Sequence, residues 1–256
     1  MSLHVESEDG VLLVVVDRPK ANAIDAATSR EMGRTFERFE ADPSLRVAIL
    51  TGTGPKFFSA GWDLGAANDG ESFEADFGAG GFGGFPELPG RTKPVIAAVN
   101  GMAVGGGFEI VMAADFVVAA DHATFFLPEC GLGLLPDAGT VRLPRLLPPV
   151  VANEVLMAGR RLSADEMLRF GAVNAVVPAG ALLEEARSLA ARIRASAPLS
   201  IAAVLDLQRG TSHLPIADAM AALRANGAYR AAISSADAAE GPAAFAEKRP
   251  PRWQGR

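Results

Sequence analysis

The sequence predicts an α/β fold, and three observations carry that prediction. Short β-branched runs recur at 11–16, 47–51, 95–99, 116–119 and 173–177. Helical patterns separate most of them. With 49% hydrophobic residues over 256 positions, the chain has material for a full core. Taken in order, segment 26–41 places Met32, Phe36 and Phe39 on one helical face. Ser163 and Glu166 have the spacing of a capping box ahead of Met167 and Leu168, and Gly171 ends that helix before the strand at 173–177. Pro178 and Gly180 then break the chain before a helix over 182–194. The last sixty residues read as entirely helical and rich in alanine. This divides the chain into a core over 1–195 and a helical region over 196–256 that packs on a neighbour or on its own core.

Composition excludes several classes. A net charge of −6 with no basic run argues against nucleic-acid binding, which needs clustered Lys and Arg to neutralise phosphates. The N-terminus carries acids where a signal peptide has a basic region, and the most apolar stretch, 94–120, is interrupted by Asn100, Glu109 and Asp115. One cysteine, Cys130, permits no internal disulfide and fits a reducing compartment, so a cytoplasmic location is expected. His4, His122 and His213 lack ligand spacing, and no metal is expected.

Two features stand apart. Segment 65–90 holds eight glycines and four phenylalanines, and no Lys or Arg occurs from Phe57 to Gly90. It reads either as a mobile acidic cover that tolerates a cation and repels an anion, or as a solvated loop without a role. The second feature is a pair of isolated carboxylates. Glu109 is the only charge between Pro94 and Ala114, and Glu129 the only one between Ala123 and Pro136. A carboxylate withdrawn from water has a raised pKa and exchanges protons near neutrality, which points to acid/base chemistry.

The turns around these glutamates fit the same reading. The run from Asn100 to Glu109 has neither a phosphate-loop ending nor a dinucleotide-binding glycine pattern. It reads as a strand end, a tight turn and a helix start, which leaves backbone N–H groups unpaired to hold a developing oxyanion. A second glycine turn, Ser59-Ala60-Gly61-Trp62-Asp63, supplies another donor. Ser59 has Phe57 where a nucleophile elbow needs its first glycine and is assigned a structural role. The plainer alternatives are a helix-dipole carboxylate for Glu109 and a loop residue paired with an arginine such as Arg142 for Glu129.

Five ordered stretches resemble the enoyl-CoA hydratase/isomerase (crotonase) family: Asp17-Arg18-Pro19-Lys20-Ala21-Asn22-Ala23, Phe58-Ser59-Ala60-Gly61-Trp62-Asp63-Leu64, the run from Lys93 to Gly101, Gly105-Gly106-Gly107-Phe108-Glu109, and Leu127-Pro128-Glu129. The similarity spans essentially the whole chain. It implies a spiral of β-β-α units with a helical C-terminal region that builds trimers, commonly paired into hexamers. It implies an acyl-CoA thioester substrate and no cofactor beyond the CoA of that substrate. Carried over residue by residue, it places oxyanion-hole N–H groups at Ala60 and Gly106, and proton transfer at Glu109 and Glu129. It implies substrate or CoA contacts at Lys20, Ala21, Ala23, Gly61, Trp62, Asp63, Leu64, Gly105, Pro128, Gly133 and Asp137, with Phe245 and Lys248 reaching a neighbour's CoA.

Two glutamates favour a hydratase or dehydratase over a double-bond isomerase, which commonly uses one. Thioester hydrolysis and non-catalytic CoA binding are the further alternatives. Spans 57–64, 75–78, 146–149 and 240–242 resemble the part of the family whose acyl group carries trimethylammonium. Trp62, Phe77, Phe82 and Phe85 are then candidate cation-binding faces. Asp137 stands where many members have a small residue, though this part of the family resembles the chain in having an Asp there as well, whereas Cys130-Gly131 after Glu129 is unlike it.

Overall fold

A strand pair followed by a helix, repeated along the chain, builds two sheets at once. The structure, a computed structural model, describes residues 2–256. The first repeat is β1 (Leu3–Glu8), β2 (Val11–Val16) and α1 (Ala26–Ala41). Next come β3 (Val47–Gly52), β4 (Phe57–Ser59) and α2 (Leu64–Asn68), then β5 (Val95–Val99), β6 (Met102–Val104) and α3 (Gly106–Ala113). The fourth is β7 (Phe116–Ala120), β8 (Thr124–Phe126) and a 3₁₀ turn (Glu129–Leu132), followed by α4 (Asp137–Leu146) and α5 (Pro149–Ala158). After β9 (Leu162–Ser163), α6 (Ala164–Arg169) and β10 (Ala175–Val177), the chain is helical: α7 (Leu182–Arg194), α8 (Pro198–Thr211), α9 (Ile216–Ala225), α10 (Gly227–Ile233) and α11 (Ala236–Ala246).

The first strand of each later repeat joins a six-stranded sheet of order β1-β2-β3-β5-β7-β10, and the second joins a four-stranded sheet, β4-β6-β8-β9. Strands β2, β3, β5, β7 and β10 run parallel, as do β4, β6 and β8. Every residue of β3 and β5 is buried, as expected of parallel strands covered on both faces. This is the spiral of β-β-α units anticipated from the sequence. Two buried or half-buried asparagines lock successive turns of it. Asn22 Nδ2 donates to the carbonyls of Thr53 and Phe57, and Asn100 takes the Gly52 N–H while donating to Gly54 and Phe57.

Helix α1 begins at Asp25, whose side chain accepts from the Thr28 N–H, and buries Met32, Phe36 and Phe39 fully, each worth roughly 1.5–3 kcal/mol. The Ser163–Glu166 capping box forms as read. Strand β10 is shorter than the predicted 173–177. Asn174 uses its side-chain oxygen, as well as its N–H, on Val117, so the regular ladder starts one residue later.

The described residues form two compact units. One runs to Pro89 and resumes over Val95–Ala190; the other comprises Gly90–Pro94 and Ala191–Arg256. Within the second, the expectation of helix to the very end fails. Pro250 and Pro251 cannot continue a helix, and residues 250–256 are irregular. Buried Asp237 accepts from the N–H groups of Gln254 and Gly255, and the Trp253 indole donates to Ala195. Among the described residues no single helix is long and apolar enough to cross a membrane.

Candidate active site

Because β4, β6 and β8 are parallel neighbours, the turns that follow them open side by side at their C-terminal ends, where ligands of parallel sheets bind. Strand β4 leads to Ala60-Gly61-Trp62, β6 to Gly105-Gly106-Gly107 and α3, and β8 to Pro128-Glu129. The approach is close enough to require glycine. A Cβ on Gly61 (φ +80°) would stand 2.6 Å from the Gly106 nitrogen, and one on Gly107 would stand 2.3 Å from the Ser59 carbonyl oxygen. Ser59 is structural, as read: its hydroxyl donates to Asn22 O and accepts from Gly61 N–H.

A cavity of about 820 Å³ opens over these turns. Ala60, Trp62, Leu64, Gly105, Gly106, Glu109, Pro128, Glu129 and Asp137 all line it. Glu109 stands on the first turn of α3 and its Oε1 accepts the Gly139 N–H from α4 at 2.7 Å. Burial pushes its pKa up to about 7, opposed by the Gly139 hydrogen bond and reinforced by the like charges of Asp137 and Glu129. Glu129 opens the 3₁₀ turn. Burial also raises its pKa, with Asp137 adding to the effect, and its Oε2 is buried without a hydrogen-bond partner. Among the described residues no arginine pairs with it: Arg142 donates to Pro86 O. Two proton acceptors with raised affinity therefore face one cavity.

The backbone donors differ from the sequence assignment in one place. The Ala60 N–H is committed to Ala21 O at 2.9 Å and is not available as an oxyanion donor. Two residues on, Trp62 forms a parallel bridge with Ile24 through Gly61 O and Asp63 N–H. In an extended strand successive N–H groups alternate sides, so the Trp62 N–H faces away from Ile24, toward β6 and the Gly106 turn. Neither the Trp62 nor the Gly106 N–H has a hydrogen-bond partner among the described residues. Trp62 and Gly106 are the open pair. Strand alternation would have revealed this from sequence, had residues 22–24 been recognised as the partner of Trp62.

The predicted CoA contacts separate into two groups. Lys20, Ala21, Ala23, Gly61, Asp63 and Gly133 do not line the cavity. Ala21 holds Ala60; Ala23 accepts from Arg18; Asp63 caps α2 and pairs with Arg18 at 3.3 Å; Gly133 (φ +75°) closes the 3₁₀ turn. Lys20 (φ +75°) is exposed. Phe245 and Lys248 belong to the second unit and are exposed.

Segment 65–90 is pinned onto α1. Phe85 is buried with its ring 4.9 Å from that of Phe36, and Ser29 Oγ donates to Phe77 O and Gly81 O while accepting from Gly83 N–H. Glu71 bridges the Trp62 indole N–H and the Ala26 N–H. The segment contributes Phe73, Glu74, Asp76, Phe77, Phe82 and Glu87 to the cavity wall, and no Lys or Arg lines it. No group of three or more His, Cys, Asp or Glu among the described residues is arranged to hold a metal.

The enoyl-CoA hydratase/isomerase profile matches residues 6–256. The chain belongs to the enoyl-CoA hydratase/isomerase family. Carnitinyl-CoA dehydratases of Citrobacter koseri and Escherichia coli are 56% and 55% identical over 258 aligned positions, covering 100% of this chain and 99% of each relative. Among solved structures, enoyl-CoA hydratases of Mycobacterium marinum and Mycobacterium tuberculosis superpose with a TM-score of 0.92, at 39% and 37% identity, covering 100% of this chain and 99% of theirs. The family's crotonase fold is the one observed.

Proposed function

We propose that the chain is a hydro-lyase that adds or removes water across the 2,3 double bond of an enoyl-CoA thioester, with crotonobetainyl-CoA and carnitinyl-CoA as its substrate pair. The observation that carries the reading is the meeting of Glu109, Glu129 and the open N–H groups of Gly106 and Trp62 in one cavity. The names of the relatives support the acyl group.

The thioester carbonyl oxygen sits between the two N–H groups, which stabilise the enolate formed when water adds. Ionised Glu109 takes a proton from the water as its oxygen bonds to C3; protonated Glu129 delivers a proton to C2. Dehydration runs these transfers backwards. A pKa near 7 for Glu109 keeps it exchangeable at neutral pH. Each proton transfer contributes typically 10²–10⁴-fold and each oxyanion donor about 10²–10³-fold. The reaction needs no cofactor besides the CoA of the substrate. Exposed Val204, Ile216, Met220 and Ile233 on the C-terminal helices support assembly through that region as a trimer or pair of trimers, and the single cysteine of the sequence supports a cytoplasmic location.

Hydration of crotonobetainyl-CoA beside crotonyl-CoA, followed by loss of the conjugated thioester absorbance in native protein and Glu129→Gln, tests the reading. Preference for the cationic substrate, abolished by the substitution, is expected. Failure to hydrate either substrate overturns it and turns attention to isomerisation or thioester hydrolysis.

A further inference from the structure

Quaternary ammonium has no N–H to donate, so a protein recognises it only through negative charge and aromatic faces. The cavity wall offers several carboxylates, and bond geometry selects among them. In the crotonobetainyl group the nitrogen stands two bonds from C3, the carbon that receives the hydroxyl. Its acceptor must stand beside the glutamates that handle the water.

Asp137 meets that requirement. Asp137, the first residue of α4, lines the cavity, interacts electrostatically with both Glu109 and Glu129, and makes no ion pair among the described residues. Its Oδ1 accepts the Ala138 N–H at 2.5 Å, which fixes the carboxylate at the helix start. Gly139, two residues on, holds Glu109. An aromatic face stands by the oxyanion turn. A Cβ on Gly106 would lie 2.6 Å from Phe82 Cε1, and Phe82 is held edge-to-face by Phe77 with centroids 5.3 Å apart.

Resting on the proposed hydro-lyase reading, we infer that Asp137, with the Phe82 ring, is the specificity determinant for a cationic acyl group, its carboxylate serving as counter-ion to the trimethylammonium at C4. The uncompensated negative charge that Asp137 brings to two carboxylates is then matched when the substrate arrives, and a neutral acyl chain leaves it unmatched.

The test compares crotonobetainyl-CoA with its carbon isostere, in which a tert-butyl group replaces trimethylammonium, in native protein and in Asp137→Asn and Asp137→Ala. The native protein should favour the cation by about tenfold or more in kcat/KM, and both variants should lose most of that preference, read as the ratio of kcat/KM on the two substrates within each variant. Equal losses on both substrates, or an intact preference in the variants, overturn the assignment of Asp137 and leave the hydro-lyase reading standing. A native protein that hydrates both substrates without preference overturns the cationic acyl group and this inference together.

Discussion

The Gly139 N–H donates to Glu109 Oε1 at 2.7 Å, so the carboxylate delivered by α3 is oriented by the first turn of α4. A Cβ at position 139 would stand 2.8 Å from Leu127 Cδ1 and 3.2 Å from that same oxygen. Gly139→Ala therefore displaces Glu109 without removing any charge. Steady-state kinetics should show kcat reduced by roughly tenfold or more with a stability loss of about 1–3 kcal/mol. Unchanged kcat would falsify the positioning role.

Glu109→Gln and Glu129→Gln each remove one proton carrier from the cavity. Hydration of the thioester should fall by roughly 10²–10⁴-fold in either variant. CoA-thioester binding, measured by calorimetry, should stay within a few-fold of native, because neither substitution changes the shape of the wall. A large loss of binding with kcat retained would assign these residues to recognition instead.

The pH profile follows from the raised affinity of Glu109. As the base, it must be ionised, so kcat/KM for hydration should fall as pH drops through about 7. The neighbouring Glu129 makes this a property of the pair, and any residual activity of Glu109→Gln should lack that limb. Retention of the limb in the variant would place the controlling group elsewhere.

The same shift makes a statement about stability. The folded pKa lies above the ordinary value of 4.5, so the unfolded chain loses its proton first and folding is penalised progressively from about pH 4.5 to 7, with the penalty complete above that. Glu109→Gln removes the charge. In thermal or urea unfolding it should be more stable than native at pH 8, by up to about 3 kcal/mol, and should gain little at pH 4. A variant no more stable at pH 8 than native would contradict the burial cost.

Gly61 stands at φ +80° with the Gly106 nitrogen 2.6 Å from where a Cβ would go. Gly61→Ala forces apart the two turns that present the Trp62 and Gly106 N–H groups. The variant should lose roughly 10²-fold or more in kcat even where circular dichroism reports a folded chain, since the donors no longer converge. Near-native kcat would show that these N–H groups do not hold the oxyanion.

Much of this molecule was legible along the chain because its signals are local. The face of α1, the Ser163–Glu166 cap and the fully apolar β3 and β5 are set by neighbours a few residues apart, and Glu109 and Glu129 are visible as lone charges in apolar surroundings. Strands β4, β6 and β8 carry no such signal: at three residues each, they exist because parallel partners supply the hydrogen bonds. Segment 65–90 reads as a loop by its glycines, yet those glycines let it press against α1, where a Cβ on Gly84 would meet the Gly33 nitrogen at 2.4 Å.

By itself, then, the sequence determined the α/β repeat, the family and the two glutamates, since periodicity and isolation of charge are properties of order along a chain. Tertiary structure alone decided which backbone donor is open. Ala60 and Trp62 lie in the same glycine turn, but pairing with Ala21 and Ile24 consumes the N–H of the first and turns that of the second toward Gly106. It also brought Asp137 and Gly139 to Glu109, because the hydrogen bond and the repulsion that tune a carboxylate act through space, between residues that share no local pattern.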